Sequence, residues 1–187
     1  MGKNTNLKSN KGFSLMELLV VIAIMAIAMS MSVGGVFMIR KAQVRGATKD
    51  IGTQITRARG YAMSHDQEVR LSISPEGEKT LMARIQYNTD SGFKDKFSQA
   101  VGKDIKISFV DSNGTYVEFT SNTNGHLYVY YDKRSGRISK ITADIGMGEQ
   151  EISTSASTNG TIHVELAKGG TDKVGLVKIY YENGAVE

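Results

Sequence analysis

The chain has 187 residues, with 23 lysines and arginines against 19 aspartates and glutamates, a formal charge of +4. Lys3, Lys8 and Lys11 lie ahead of residue 12, so the remainder holds 20 bases against 19 acids, which does not support a generally basic, nucleic-acid-seeking protein. Without cysteine there is no disulfide, thiolate nucleophile or cysteine-ligated metal, and the fold must hold by packing.

Residues 1–12 carry three lysines and no acid, like the basic n-region of an export signal, and are kept out of the fold. Residues 13–39 follow with a single charge, Glu17. As a helix they would be about 40 Å long at ~1.5 Å per residue. About 20 apolar residues suffice for a membrane span, so the expectation is a helix that crosses and then continues. A carboxylate five residues into a span is costly, though less than the roughly 2.5–3.5 kcal/mol assigned to central charges. A cut after Gly12 would supply a cationic partner, the new α-amine of Phe13, whose ordinary pKa is about 7.7–8. The other reading is that Glu17 snorkels to the interface.

The stretch Lys11-Gly12-Phe13-Ser14-Leu15-Met16-Glu17-Leu18-Leu19-Val20-Val21-Ile22 resembles the prepilin signature of type IV pilins and type II secretion pseudopilins. The resemblance implies cleavage between Gly12 and Phe13 by the membrane-embedded prepilin peptidase, N-methylation at Phe13, and pairing of Glu17 with a neighbouring subunit's amine during assembly. It also implies other pilin subunits, an assembly ATPase and a platform protein as partners. Flanking charge leaves orientation open, because Arg40, Lys41, Arg45 and Lys49 follow the run as lysines precede it. The resemblance places the leader in the cytoplasm, the helix as a single pass through the cytoplasmic membrane, and the head outside.

Within the run, Gly34 and Gly35 interrupt the apolar residues, and each costs roughly 1 kcal/mol of helix propensity relative to Ala. They mark either a point of helix loosening on filament entry or a place for close helix packing. Over 40–64, Val44, Ala47, Ile51, Ile55, Ala58 and Ala62 share one helical face, while Arg40, Lys41, Arg45, Lys49, Arg57 and Arg59 occupy the rest. That basic side could meet subunit carboxylates, membrane lipid headgroups, or DNA phosphates in a salt-dependent way.

After His65-Asp66 the pattern becomes strand-like. Strands are expected at 69–73, 79–87, 105–110, 115–120, 127–131, 137–143, 161–166 and 174–181. Turns are expected at 74–77 and 168–172, and loops at 88–102 and 144–159. Asn113-Gly114, Asn124-Gly125, Ser135-Gly136, Asn159-Gly160 and Asn183-Gly184 read as tight turns, making successive strands antiparallel neighbours. The predicted organisation is a cleaved leader (1–12), an assembly helix with amphipathic spine (13–64) and a β-rich head (65–187). The expected fold is α+β and pilin-like, with a long N-terminal helix packed on an antiparallel β-rich globular domain.

Chemistry-bearing patterns are sparse. His65, His126 and His163 lack metal-ligand spacing, no Gly-x-Ser-x-Gly elbow is present, and the Gly pairs lack a phosphate-loop context. No catalytic residue, metal or cofactor is assigned. Asp144, Glu149 and Glu151 read as a solvated loop or a non-EF-hand Ca²⁺ loop. Alternation sends Tyr128 and Tyr130 to one sheet face and Tyr131 to the other, for cross-strand packing or a partner surface. The functional expectation is a structural subunit of a type IV pilus-like or pseudopilus filament; the alternative is a minor pilin or competence pseudopilin whose head binds DNA or an adhesion target.

Overall fold

A computed structural model describes residues 13–77, 79–114, 116–120, 125–154, 159–167 and 175–187, the side chains of 31–37, 120 and 153–154 excepted. The chain forms two compact units, Met1–Ile39 and Arg40–Glu187. Helix α1 (Leu15–Ser64) begins in the first and ends in the second.

In the first unit the large apolar side chains from Phe13 to Met29 are exposed, as are Met38 and Ile39. Among the described residues no helix is long and apolar enough to cross a membrane. Residues 31–37 of the expected span lie outside the described side chains, and helical residues 15–30 alone fall short of the about 20 that a crossing needs.

In the second unit, α1 lays one face into a core shared with two antiparallel sheets. Val44, Ala47, Ile51, Ile55, Ala58 and Ala62 are all buried there, as their spacing predicts. Gly46, Gly52 and Gly60 face open space. With the propensity they forfeit, about 1 kcal/mol each, the helix is held chiefly by this packing.

The first sheet has the order β3-β2-β1-β6-β7-β8, built from β1 (Val69–Glu76), β2 (Thr80–Thr89), β3 (Gly92–Lys103), β6 (His126–Tyr131), β7 (Ile138–Asp144) and β8 (Glu149–Thr154). The second has the order β11-β10-β9-β4-β5, built from β4 (Ile105–Asp111), β5 (Tyr116–Thr120), β9 (Asn159–Leu166), β10 (Gly175–Tyr180) and β11 (Ala185–Val186). The chain changes sheets at Asp104, which takes a left-handed φ of 52° and donates its N–H to the Lys79 carbonyl at 2.8 Å. Consecutive strands pair within β1–β3, β4–β5, β6–β8 and β9–β11, but between those groups the chain crosses to the other sheet.

Several expectations are corrected. The loop expected over 88–102 is largely β3, and part of the loop expected over 144–159 is β8. Both are edge strands of the first sheet, and their consecutive exposed residues, 94–98 in β3 and 149–151 in β8, leave no alternation to read. The expected turn at 74–77 is mostly strand, since β1 runs through Pro75 to Glu76. Pro75 is tolerated because β1 pairs with β6 only as far as Ile73, leaving β2 as its sole neighbour there. Asn159-Gly160 is not a turn but the start of β9. There a Cβ on Gly160 would come within 2.6 Å of the Phe109 ring.

Candidate assembly site

The end of α1 is set by Ser14. Its carbonyl accepts the first helical bond, from Leu18 N–H at 3.1 Å, and its own N–H donates to Glu17 Oε2 at 3.4 Å. Ser14 and Glu17 stand at the N-cap and third helical positions of a capping box, and the acid also favours the positive end of the helix dipole. The Ser-x-x-Glu spacing was a readable signal for this second role of Glu17, which the charge-pairing argument passed over. No ion pair to Glu17 occurs among the described residues. Glu17 is exposed, and so are Val20 and Val21, its neighbours one turn on along the helix surface. Phe13 is 82% exposed. Gly12 lies outside the described residues, and Gly34 and Gly35 fall within 31–37, where the helix assignment continues.

The basic residues of the spine divide in two. Arg40, Lys41, Arg45, Lys49 and Arg57 are exposed. Among the described residues none of them joins an ion pair, and Arg57 reaches only the Gln99 amide oxygen, at 3.5 Å. Arg59 is half-buried, with its Nε enclosed and unbonded. Its aliphatic stem lies beside Gly136 and Gly184, so it packs under two turns of the head.

The outer face of the first sheet carries a compact polar network. The Arg70 guanidinium lies 4.0 Å from the Phe93 ring centroid and 4.4 Å from that of Tyr128. It donates to Gln86 Oε1 at 2.7 Å and Tyr130 Oη at 2.8 Å, and Glu149 lies 3.7 Å away. Glu149 in turn accepts from Tyr130 at 2.5 Å and Thr142 at 2.7 Å. Burial pushes the Tyr130 phenol up to about 12, with the hydrogen bond to Glu149 adding to the rise. Burial works against the Glu149 carboxylate, but the two hydroxyl donors and the Arg70 and Lys140 charges outweigh it and hold its pKa below the usual value. The tyrosines divide as their alternation predicts: Tyr128 and Tyr130 lie with Arg70 on this face, while Tyr131 points into the core with its hydroxyl unbonded. The network ties β1, β2, β3, β6, β7 and β8 together, and its donors and acceptors largely satisfy one another.

The remaining candidates are local. Asp144 Oδ1 accepts from Gly146 and Gly148 N–H groups at 2.9 and 3.2 Å, shaping the β7–β8 hairpin. Glu149 turns instead to Tyr130, and no group of three possible metal ligands occurs among the described residues. His65 stacks on Tyr61 at 4.3 Å and His126 on Tyr128 at 5.8 Å. A cleft of about 640 Å³, lined in part by Asp66, Glu68, Asp90, Asp132 and Lys133, opens at one end of the first sheet. Within it Asp66 is already paired with Arg134 at 2.8 Å and Lys133 at 4.0 Å.

Residues 7–33 match the family described as the prokaryotic N-terminal methylation motif, the signature of type IV pilins and pseudopilins. The matched stretch contains Gly12, Phe13, Ser14 and Glu17. The match supports a pilin-like substrate of prepilin peptidase. No curated protein and no solved structure matches the chain.

Proposed function

We propose that this chain is a structural subunit of a type IV pilus-like or pseudopilus filament. It is made with the leader 1–12, held in the cytoplasmic membrane by a single pass over 13–39, and oriented with residues 65–187 outside. Prepilin peptidase cuts between Gly12 and Phe13, and the Phe13 amine is methylated. The subunit then leaves the bilayer for a polymer built through its N-terminal helix with other pilin subunits, driven by an assembly ATPase and platform protein.

The observation that carries this reading is the methylation motif at 7–33 with Glu17 inside it. Exposed apolar side chains flank that acid, and among the described residues no base pairs with it. Burying those apolar faces against copies of themselves is favourable at about 25 cal/mol per Å². It carries Glu17 into a low dielectric, where an amine a few ångströms away stabilises the carboxylate far more than it would in water. Gly34 and Gly35 supply the place where the helix can loosen as it changes surroundings.

Shearing cells and separating the released polymer tests this directly. The sheared fraction is expected to contain this chain beginning at Phe13; finding the chain only as unpolymerised membrane or soluble protein would count against the reading. The alternative, a minor pilin or competence pseudopilin whose head binds DNA or an adhesion target, has no feature of the head behind it; the basic stripe from Arg40 to Arg57 lies on the spine. A gel shift of the full chain over several salt concentrations tests its DNA version.

A further inference from the structure

The basic stripe is a feature of the spine that no partner among the described residues explains. Lys41, Arg45 and Lys49 are spaced i, i+4, i+8, so each adjacent pair of like charges opposes the helix by roughly 0.2–0.5 kcal/mol. With Arg40 they occupy about 14 Å of helix at ~1.5 Å per residue. All four are exposed, and no carboxylate pairs with them among the described residues. The opposite face, through Val44, Ala47 and Ile51, is fixed in the core, so the helix cannot rotate to relieve the repulsion. An external anion would relieve it.

Position in the chain selects which anion. Arg40 follows directly on Ile39, the last residue of an apolar run whose final side chains, Met38 and Ile39, are exposed. If that run ends at a membrane face, the first bases after it emerge among headgroups, within reach of a Debye length of about 8–10 Å. With the leader in the cytoplasm, these bases also lie on the flank that the positive-inside rule leaves poor in lysine and arginine.

We infer that Arg40, Lys41, Arg45 and Lys49 form a binding surface for anionic phospholipid headgroups, holding the unassembled subunit against the membrane. The inference rests on the single-pass topology proposed above. It adds an electrostatic restraint that must be released when the subunit enters a polymer. Each base contributes about a five-fold preference for an anionic over a zwitterionic surface at low salt.

The test uses the full chain reconstituted from detergent with vesicles of pure phosphatidylcholine or of phosphatidylcholine containing phosphatidylglycerol, with flotation read over a salt series. Wild-type chain is expected to favour the phosphatidylglycerol vesicles, with the preference falling as salt rises. The variant R40Q/K41Q/R45Q/K49Q should lose the preference by a factor of at least 10² yet still float with phosphatidylcholine. The charge-conserving R40K/R45K should retain it, and circular dichroism should show unchanged helix in both. Equal flotation of wild-type chain with the two vesicle types would overturn the inference while leaving the membrane anchor intact. Failure to float with either would remove the anchor itself and the inference with it. Displacement from phosphatidylglycerol vesicles by short duplex DNA at equal phosphate concentration would assign the stripe to nucleic acid instead.

Discussion

Glu17 performs two separable tasks in this account, and two substitutions divide them. Glu17→Gln keeps an oxygen that can accept from the Ser14 N–H, now 3.4 Å from Glu17 Oε2, and so keeps the capping box while removing the charge. Glu17→Val removes both. Loss of a helix cap costs typically about 1 kcal/mol, or roughly five-fold in an equilibrium. Leaving an amine without its counter-charge in an apolar interface costs about 3–5 kcal/mol, a factor of more than 10². The assay is the ratio of sheared polymer to membrane-held subunit, by immunoblot, in cells producing each variant at equal levels. Both variants should fall by more than a hundred-fold, with Val at most a few-fold below Gln. Polymer at the wild-type level from the Gln variant would refute charge pairing and leave Glu17 as a helix cap.

Gly175 in β10 lies so close to α1 that a Cβ there would overlap Thr48 Oγ1 and stand 3.0 Å from Thr48 Cβ. Thr48 has little room to yield, because its hydroxyl donates to the Val44 carbonyl at 2.7 Å. Gly175→Ala should therefore lower stability by about 1–3 kcal/mol in a denaturant titration, and Thr48→Ala should recover part of that loss when combined with it; strict additivity would show that the two elements do not touch. Tyr130 provides a pH test. Its folded pKa, about 12, lies above the unfolded value near 10. Its contribution is thus full below pH 10 and is lost as pH rises through 12, by about 2–3 kcal/mol in all. Tyr130→Phe should be less stable than wild type at pH 8 and show a shallower decline from pH 10 to 11.5, whereas identical declines would place that titration elsewhere.

Burial decided what could be read from the sequence. The spine was legible because one face is wholly inside, so Val44, Ala47, Ile51, Ile55, Ala58 and Ala62 had to repeat at helical spacing. Strand β1 was legible for a similar reason: Val69, Leu71 and Ile73 alternate into the core. Strand β3 was not, because Lys94, Asp95, Lys96, Phe97 and Ser98 are all exposed, and a strand wet on both faces has no period to display. Gly160 misled for another reason. Asn-Gly usually signals positive φ, but this glycine makes room for the Phe109 ring and the Tyr181 hydroxyl that crowd it, a contact no local pattern encodes. At the candidate site Phe13 and Glu17 were singled out by the apolar run, its one acid and the prepilin resemblance. The burial of Arg59 was not, because on a helical wheel it sits at the edge of the basic face and only the turns at Gly136 and Gly184 cover it.

The central claim is that trimming the leader creates the group that Glu17 is placed to meet. Intact-mass and N-terminal sequencing of the chain recovered from cell envelopes measures this most directly. The account predicts a chain beginning at Phe13 and heavier by one methyl group than the sequence alone. It also predicts that the chain stays uncut when prepilin peptidase is inactivated. A mature envelope protein that still begins at Met1, or is cut anywhere other than after Gly12, would contradict it.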